Sequence, residues 1–271
     1  MSFLSFVPLL KLLSLKHQLQ KIPFCVISFI FNVTELFAMT QNDPIRESQE
    51  QENKELDAFF SNLEFQIKHR TVKRLFDIAF SLTILGLLSP VFFLIALAIK
   101  LGSKGPVVYA HKRIGRGGKV FNCYKFRTMY PDADIRLKEI LEKDPELKIE
   151  WETSYKLKND PRVTPIGSFL RKTSLDEFPQ FWNVLKGNLS VVGPRPVVLD
   201  EIIKHYGEKA AKVLSIRPGL TGLWQVSGRS DTSYTKRILL DEEYVNNQSL
   251  ALDIKLVLKT IPAMLSSKGA Y

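Results

Sequence analysis

Two carboxylates stand side by side in KTSLDEFPQFWNVLKG (172–187), at Asp176 and Glu177, in a chain with a formal charge of +10 and a pI near 9.5. Adjacent carboxylates can divide the work of phosphoryl transfer between a nucleophile and a proton-handling group. They need cations or a divalent metal to spread the charge on the phosphoryl oxygens. Arg162, Arg171, Lys172 and Arg195 crowd the same region, beside a helix start whose backbone amides favour phosphate. In VVGPRPVV, Arg195 lies between Pro194 and Pro196, on a stiff backbone with its planar fork available for bidentate contact. YKFRTM sets Lys125 and Arg127 two residues apart, on one face of an expected strand. The glycine-rich SIRPGLTGLWQVSGRSD (215–231) adds Arg217, Gln225 and Arg229 around Trp224. Such backbone lets a ligand approach closely, although it matches neither a P-loop nor a dinucleotide fingerprint.

Each feature has a plainer competing reading. Ser174 with Glu177 three residues on matches a capping box, and Pro179 suits a first helical turn; neither accounts for Asp176. Arg195 can be a solvated residue in a turn, and Lys125 with Arg127 an ordinary cationic sheet face. The four histidines, at 17, 69, 111 and 205, show no metal-ligand spacing, so histidine catalysis is not indicated. Cys25 and Cys123 lie far apart, which is not a disulfide framework or a thiolate metal site and fits a reducing compartment.

The elements that must position these groups follow from length and patterning. A chain of 271 residues holds one sizeable domain, or a small domain with an anchor. Its positive charge suits an anionic partner: a nucleotide, a phospholipid headgroup or a nucleic acid. Residues 1–39 are apolar but broken by Lys11, Lys16, Lys21 and Glu35, so no run reaches the ~20 residues of a spanning helix, and no basic n-region marks a signal peptide. A polar, acidic stretch follows Met39, which makes Met39 a candidate native start and residues 1–67 an extension with a polar linker.

The strong membrane signal is LFDIAFSLTILGLLSPVFFLIALAIKL (75–101), uncharged between Asp77 and Lys100. Ser89-Pro90 falls near its middle, where proline removes an amide donor and bends a helix. Both flanks are basic and so favour the cytoplasmic side. A re-entrant helix-break-helix over 68–104 fits better than a crossing, with a spanning helix that tolerates proline as the alternative. Residues 105–271 are read as the catalytic domain: a β-hairpin over 105–129, an amphipathic helix over 131–150 interrupted near Pro145, helices at 179–186 and 197–213, a loop-rich stretch at 216–230, and a last helical pair over 233–266. The fold class expected is α+β, mainly helical, with amphipathic interfacial helices around the site.

Together RTVKRLFD, the SP pair, YKFRTM, FLRKTSLDEFPQFWNVLKGNLSVVGPRP and RPGLTGLWQVSGR closely resemble the bacterial sugar transferase family of monotopic phosphoglycosyl transferases, in order, over residues 70–266. The resemblance implies transfer of a hexose 1-phosphate from a UDP-sugar to a polyprenyl phosphate such as undecaprenyl phosphate, releasing UMP and initiating exopolysaccharide, capsule or O-antigen synthesis. It places the family's dyad on Asp176, as a nucleophile forming a covalent phosphosugar intermediate with magnesium nearby, and on Glu177, as an aid to proton removal. Arg171 and Arg195 match arginines that hold phosphate, and Lys125 and Arg127 match the basic strand motif. Ser89-Pro90 matches the pair that returns the anchor to the cytoplasm. Membrane lipids are implied as partners and nucleic acid is not; a homo-oligomer is compatible. The implied location is the bacterial inner membrane, with the catalytic domain on the cytoplasmic face. The chain resembles the short form of the family, without upstream helices. Gln248 and Ala251 stand where relatives carry tryptophan, which would weaken seating on the membrane, and His111 replaces a more usual polar residue. The rival from another class is a non-catalytic membrane-surface scaffold that binds anionic lipid or partners of an assembly complex.

Overall fold

Residues 71–102 form two helices rather than one, α1 (Thr71–Leu87) and α2 (Ser89–Gly102), which meet at a bend of 62°. Pro90 has no amide to continue the α1 ladder and sits in the first turn of α2, where none is needed. Ser89 Oγ donates to the Gly86 carbonyl at 2.9 Å and helps satisfy the end of α1. The bend therefore lies at the expected pair. Among the described residues no single helix is long and apolar enough to cross a membrane; the bent pair meets that test only together.

This computed structural model describes residues 70–154, 159–228 and 232–265, with 59–60, 63–65 and 157, all within the unit Asn42–Tyr271. Met39 and the polar stretch after it, up to residue 58, lie outside the described residues.

The outer face of the bent pair stays apolar and exposed, at Leu75, Leu82, Leu87, Phe93, Leu94 and Leu101. Its inner face is anchored by polar contacts. Asp77, buried on α1, accepts from Ser190 Oγ at 2.9 Å and from the Val191 amide at 3.0 Å. Arg74 donates to the carbonyls of Val184 and Leu185, and Lys73 pairs with Asp253 at 2.8 Å. Removing one partner of such a buried set leaves an uncompensated charge, so the helix cannot swing away cheaply.

The expected hairpin is present. Strand β1 (Val108–Ile114) runs antiparallel to β2 (Val120–Phe126) around a turn in which Gly117 and Gly118 adopt φ of 67° and 75°. Its register puts Tyr109, His111 and Arg113 opposite Lys125, Cys123 and Phe121, on one face. The expected amphipathic segment is α3 (Ala133–Lys143) and α4 (Pro145–Ser154), broken at Asp144, whose Oδ1 accepts from the amides of Glu146 and Leu147.

Further along come α5 (Pro165–Thr173), α6 (Gln180–Lys186), strand β3 (Ser190–Val192), and α7 (Leu199–Glu201), which continues as a π-helical turn over Ile202–Tyr206. Then follow α8 (Lys209–Val213), strand β4 (Gly219–Thr221), α9 (Tyr234–Asn247) and α10 (Leu250–Leu265). Helix α5 is an addition to the sequence reading, as is the parallel pair of β3 with β4. The two strands are short and distant in sequence, and they approach only because Gly219 lacks a Cβ, which would lie 2.0 Å from the Gly193 amide nitrogen.

The core has two parts. One packs Phe121, Val184, Leu189, Val192, Tyr244 and Leu256 beneath the hairpin. The other gathers Ile114, Val197, Ile202, Tyr206, Val213 and Ile238, with Phe59, Phe60, Leu63 and Phe65 packed against it. The last part of the segment read as a polar linker thus packs, partly buried, against this core.

Helix α10 is amphipathic: Asp253 and Leu256 are buried, while Leu250, Ile254, Leu258 and Ile261 are exposed along the other face. Gln248 corrects one expectation. It is only 6 % exposed and its carbonyl accepts from Arg70, so a polar residue here faces the interior. Only Ala251, which is exposed, bears on seating at a surface.

Candidate active site

Helix α5 begins at Thr164, whose Oγ1 accepts from the Gly167 amide at 3.0 Å, and ends at Ser174, where φ is 56°. A left-handed residue closes a helix by turning its amide back onto the last carbonyls, here Leu170 and Arg171. The chain leaves as a 3₁₀ turn, Leu175–Glu177, which carries both carboxylates into the space beside β2. The capping box predicted at Ser174 and Glu177 therefore does not form. Ser174 closes the preceding helix, and the Glu177 side chain turns to Lys125. Helix α6 has seven residues, so its dipole is small and the field at the site comes from side chains.

Lys125 Nζ lies 2.6 Å from Glu177 Oε1 and 4.0 Å from Asp176 Oδ2. Asp176 is 9 % exposed, and burial, reinforced by the neighbouring Glu177, pushes its pKa up to about 6 against the pull of Lys125 and Arg171. Glu177 moves the other way: burial opposes its charge, but Lys125, Arg195 and Arg113 outweigh burial and hold it below the usual carboxylate range. For Lys125, burial likewise opposes the charge and Glu177 with Asp176 overcomes it, so its pKa rises. Two adjacent carboxylates with opposed shifts are suited to different tasks.

Glu177 and Lys125 line a solvent-open cleft of about 370 Å³ with Arg113, Gln180, Arg195 and Gln225. Arg195 stacks over Trp224 at 5.7 Å from the ring centre, which orients its fork. Gln225 donates from Nε2 to the Leu220 carbonyl at 3.0 Å. Arg171, in the last turn of α5, donates from Nε to Thr128 Oγ1 at 2.9 Å and acts electrostatically on Asp176. Glu177, Lys125, Arg195 and Gln225 thus line one cleft, while Asp176 lies buried beside Glu177, within reach of Lys125 and of the Arg171 charge.

Two expected residues stand elsewhere. Arg127 donates to the carbonyls of Ser103 and Lys104, both at 2.9 Å, and to Ser103 Oγ at 2.8 Å, tying the hairpin to the end of α2. Strand β2 ends at Phe126, so the period of two that linked Arg127 to Lys125 stops one residue short. Arg217 donates to the Gly187 carbonyl at 2.8 Å and lines a separate small cleft with Arg70, Lys73, Arg74 and Asp77, not the one holding Gln225. Arg229 lies outside the described residues. Arg162 is paired with Asp160 at 2.7 Å and stacked over Trp151.

Arg113 is the cleft cation that the sequence reading did not single out, and Gln180 is a further cleft residue it missed. The arginine lies on the hairpin face of Lys125, 3.8 Å from Glu201, so strand register could have singled it out among the cations of HKRIGRGGK. His111 shares that face; burial, Arg113 and Lys125 push its pKa down to about 4, and it stays neutral at ordinary pH.

The order of the site depends on one close approach. A Cβ on Gly167 would lie 2.0 Å from the carbonyl oxygen of Thr128, the residue whose hydroxyl holds Arg171. Gly167→Ala is expected to cost about 1–3 kcal/mol through overpacking, read as a lower Tm, and to weaken substrate binding through Arg171.

Among the described residues no group of three or more histidine, cysteine or acidic side chains forms a metal cage. Two adjacent carboxylates suit a hard cation that takes its remaining ligands from water and phosphate. Magnesium has that habit, so the donor set at Asp176 and Glu177 fits it.

The chain is also similar in sequence to known proteins. The family described as bacterial sugar transferase matches residues 68–267. The exopolysaccharide production protein ExoY of Rhizobium meliloti is 50 % identical over 199 residues, covering 73 % of this chain and 88 % of its own. The undecaprenyl-phosphate galactose phosphotransferase of Salmonella typhimurium is 48 % identical over 202 residues, 74 % of this chain and 42 % of its own. The UDP-galactose-lipid carrier transferase of Erwinia amylovora is 46 % identical over 202 residues, again 74 % and 42 %. The chain thus spans less than half the length of the latter two relatives and most of the first. On its matched length, its identity to these proteins and the dyad set among cations, the chain belongs to the bacterial sugar transferase family.

Proposed function

We propose that this chain is a phosphoglycosyl transferase, moving a hexose 1-phosphate from a UDP-sugar to undecaprenyl phosphate with release of UMP. The observation that carries the reading is the split dyad: a buried, more basic Asp176 beside a Glu177 held ionised by Lys125, Arg113 and Arg195, at a cleft rich in cations. The names of the Salmonella and Erwinia relatives put galactose first among donors.

In the reaction proposed, an Asp176 carboxylate oxygen attacks the sugar-bearing phosphorus. A bond forms between that oxygen and phosphorus, and the phosphoanhydride bond breaks, so UMP leaves with the bridging oxygen and its electron pair. The phosphosugar is then an acyl phosphate on Asp176. A phosphate oxygen of the lipid attacks the same phosphorus, and the bond to Asp176 breaks, restoring the carboxylate. Attack of an anion on a diphosphate meets repulsion of several kcal/mol at low local dielectric, which Lys125, Arg171, Arg113 and Arg195 offset. Asp176 and Glu177 would also hold magnesium, which when bound neutralises charge on the phosphoryl oxygens.

Glu177 is a weak base while Lys125 holds it at 2.6 Å. An arriving phosphate competes for Lys125, and loosening that pair raises the basicity of Glu177. Glu177 then accepts the proton of the lipid phosphate when the acceptor is in place. One carboxylate nucleophile thereby serves a soluble donor and a lipid acceptor in turn.

The exposed apolar faces of α1, α2 and α10 support a seat within a single leaflet, at the cytoplasmic face of the bacterial inner membrane. Pro90→Ala restores the missing amide and is expected to straighten α1 and α2 toward one rod. Cysteine-accessibility labelling should then place the two flanks on opposite sides of the membrane; flanks that both stay cytoplasmic show that proline is not the cause of the return.

The direct test supplies purified protein, undecaprenyl phosphate and magnesium with a panel of UDP-sugars and measures UMP. Release with UDP-galactose or UDP-glucose is expected, and no release with any common donor rejects the reading in favour of a membrane-surface scaffold.

A further inference from the structure

Behind the cleft, on α9, lies an acid that the proposed reaction does not use. Asp241 is 1 % exposed, and no side chain among the described residues donates to either carboxylate oxygen. The groups facing it are the guanidinium and backbone amide of Arg195 and the buried Tyr206, whose pKa burial and then Asp241 push up. Arg237, one turn earlier on α9, stacks over Trp224 at 4.8 Å, on the same indole that carries Arg195 at 5.7 Å. Helix α9 thus backs the Arg195 turn with Arg237, stacked on the Trp224 that also carries Arg195, and with a buried acid that no side chain pairs.

We propose that Asp241 is a positioning residue for Arg195, a carboxylate set behind the Pro194–Arg195–Pro196 turn that balances the guanidinium without occupying its donors. A direct ion pair would take up the fork that phosphate needs. A carboxylate beyond ion-pair distance supplies the opposite charge and leaves the fork free toward Glu177 and the cleft. A buried acid that no side chain pairs, with only the Arg195 backbone amide near it, costs stability, so packing gives little reason for it; an apolar or neutral residue of the same shape would serve the core at least as well. Burial pushes the Asp241 pKa well up, toward the neutral acid, while the charge and backbone amide of Arg195 pull toward the carboxylate, so the charge on Asp241 depends on that arginine.

The proposal rests on Arg195 holding a substrate phosphate, and the test separates the two. Full-length protein in nanodiscs is assayed for UMP release at varied UDP-galactose, with the dissociation constant for UDP-galactose measured wherever turnover is too slow. Asp241→Asn is expected to raise KM about tenfold, with kcat within about threefold and Tm unchanged or higher. In an Arg195→Ala background the same change should move KM by less than about twofold, since neighbours that act through each other are not additive. A tenfold effect that persists without Arg195, or a Tm that falls in step with activity, overturns the role of Asp241 alone. An Arg195→Ala protein with unaltered KM overturns the phosphate role of Arg195 and this proposal with it. Should Asp241→Asn not fold, Asp241→Glu, which keeps the charge, is carried through the same cycle: a KM shift that vanishes without Arg195 supports coupling, and one that persists rejects it.

Discussion

Asp176→Asn is expected to lower turnover by at least about 10⁴-fold, the scale seen when a covalent nucleophile is removed. The amide nearly matches the carboxylate in shape, so the protein should stay folded with Glu177 still paired to Lys125 at its present 2.6 Å. Intact-mass measurement of the parent protein mixed with UDP-galactose and no lipid acceptor should show one added phosphohexose; the variant should show none. An adduct on another residue, or a variant that retains activity, would falsify the assignment of the nucleophile. The pH dependence gives an independent check. Attack requires the ionised acid, so activity is present above the Asp176 pKa and falls as pH drops through about 6.

Lys125→Met comes next in expected effect. Lys125 contacts both carboxylates and lies in the cleft where phosphate would enter, so its loss removes a charge from ground state and transition state alike. The expected fall in kcat/KM is about 10²–10³-fold, the scale of removing one preorganised charge-stabilising donor. The sign of the pH change follows from the shifts. Lys125 lowers the pKa of Glu177 and opposes the rise of Asp176. Without it both carboxyls hold their protons to higher pH, and the acidic limb of the rate profile moves up. A limb that stays in place while the rate falls would show that Lys125 acts on substrate alone and leaves the dyad untouched.

The two sites of expected large effect differ in how openly the sequence displays them. Asp176 and Glu177 are neighbours in the chain, and their pairing needs no folding to be seen. The break at Ser89-Pro90 is equally local, because a missing amide bends a helix wherever it lies. The hairpin, the break near Pro145 and the last helical pair were legible for the same reason: alternation, turn residues and helical spacing act over a few residues.

The sequence by itself determined the chemistry on offer: paired carboxylates, a surplus of cations and an apolar stretch with a proline in it. Only tertiary structure decided which cations serve the pair. Lys125 meets Glu177 across 52 positions, whereas Arg127, two residues on, turns to the carbonyls of Ser103 and Lys104, and Arg217 turns to Gly187. Arg113 and Asp241 join the neighbourhood of the cleft only when β1 pairs with β2 and α9 packs behind Trp224. A guanidinium can satisfy a backbone carbonyl or a phosphate equally well, so its role depends on which group the folded chain brings within hydrogen-bonding distance, and no local pattern records that.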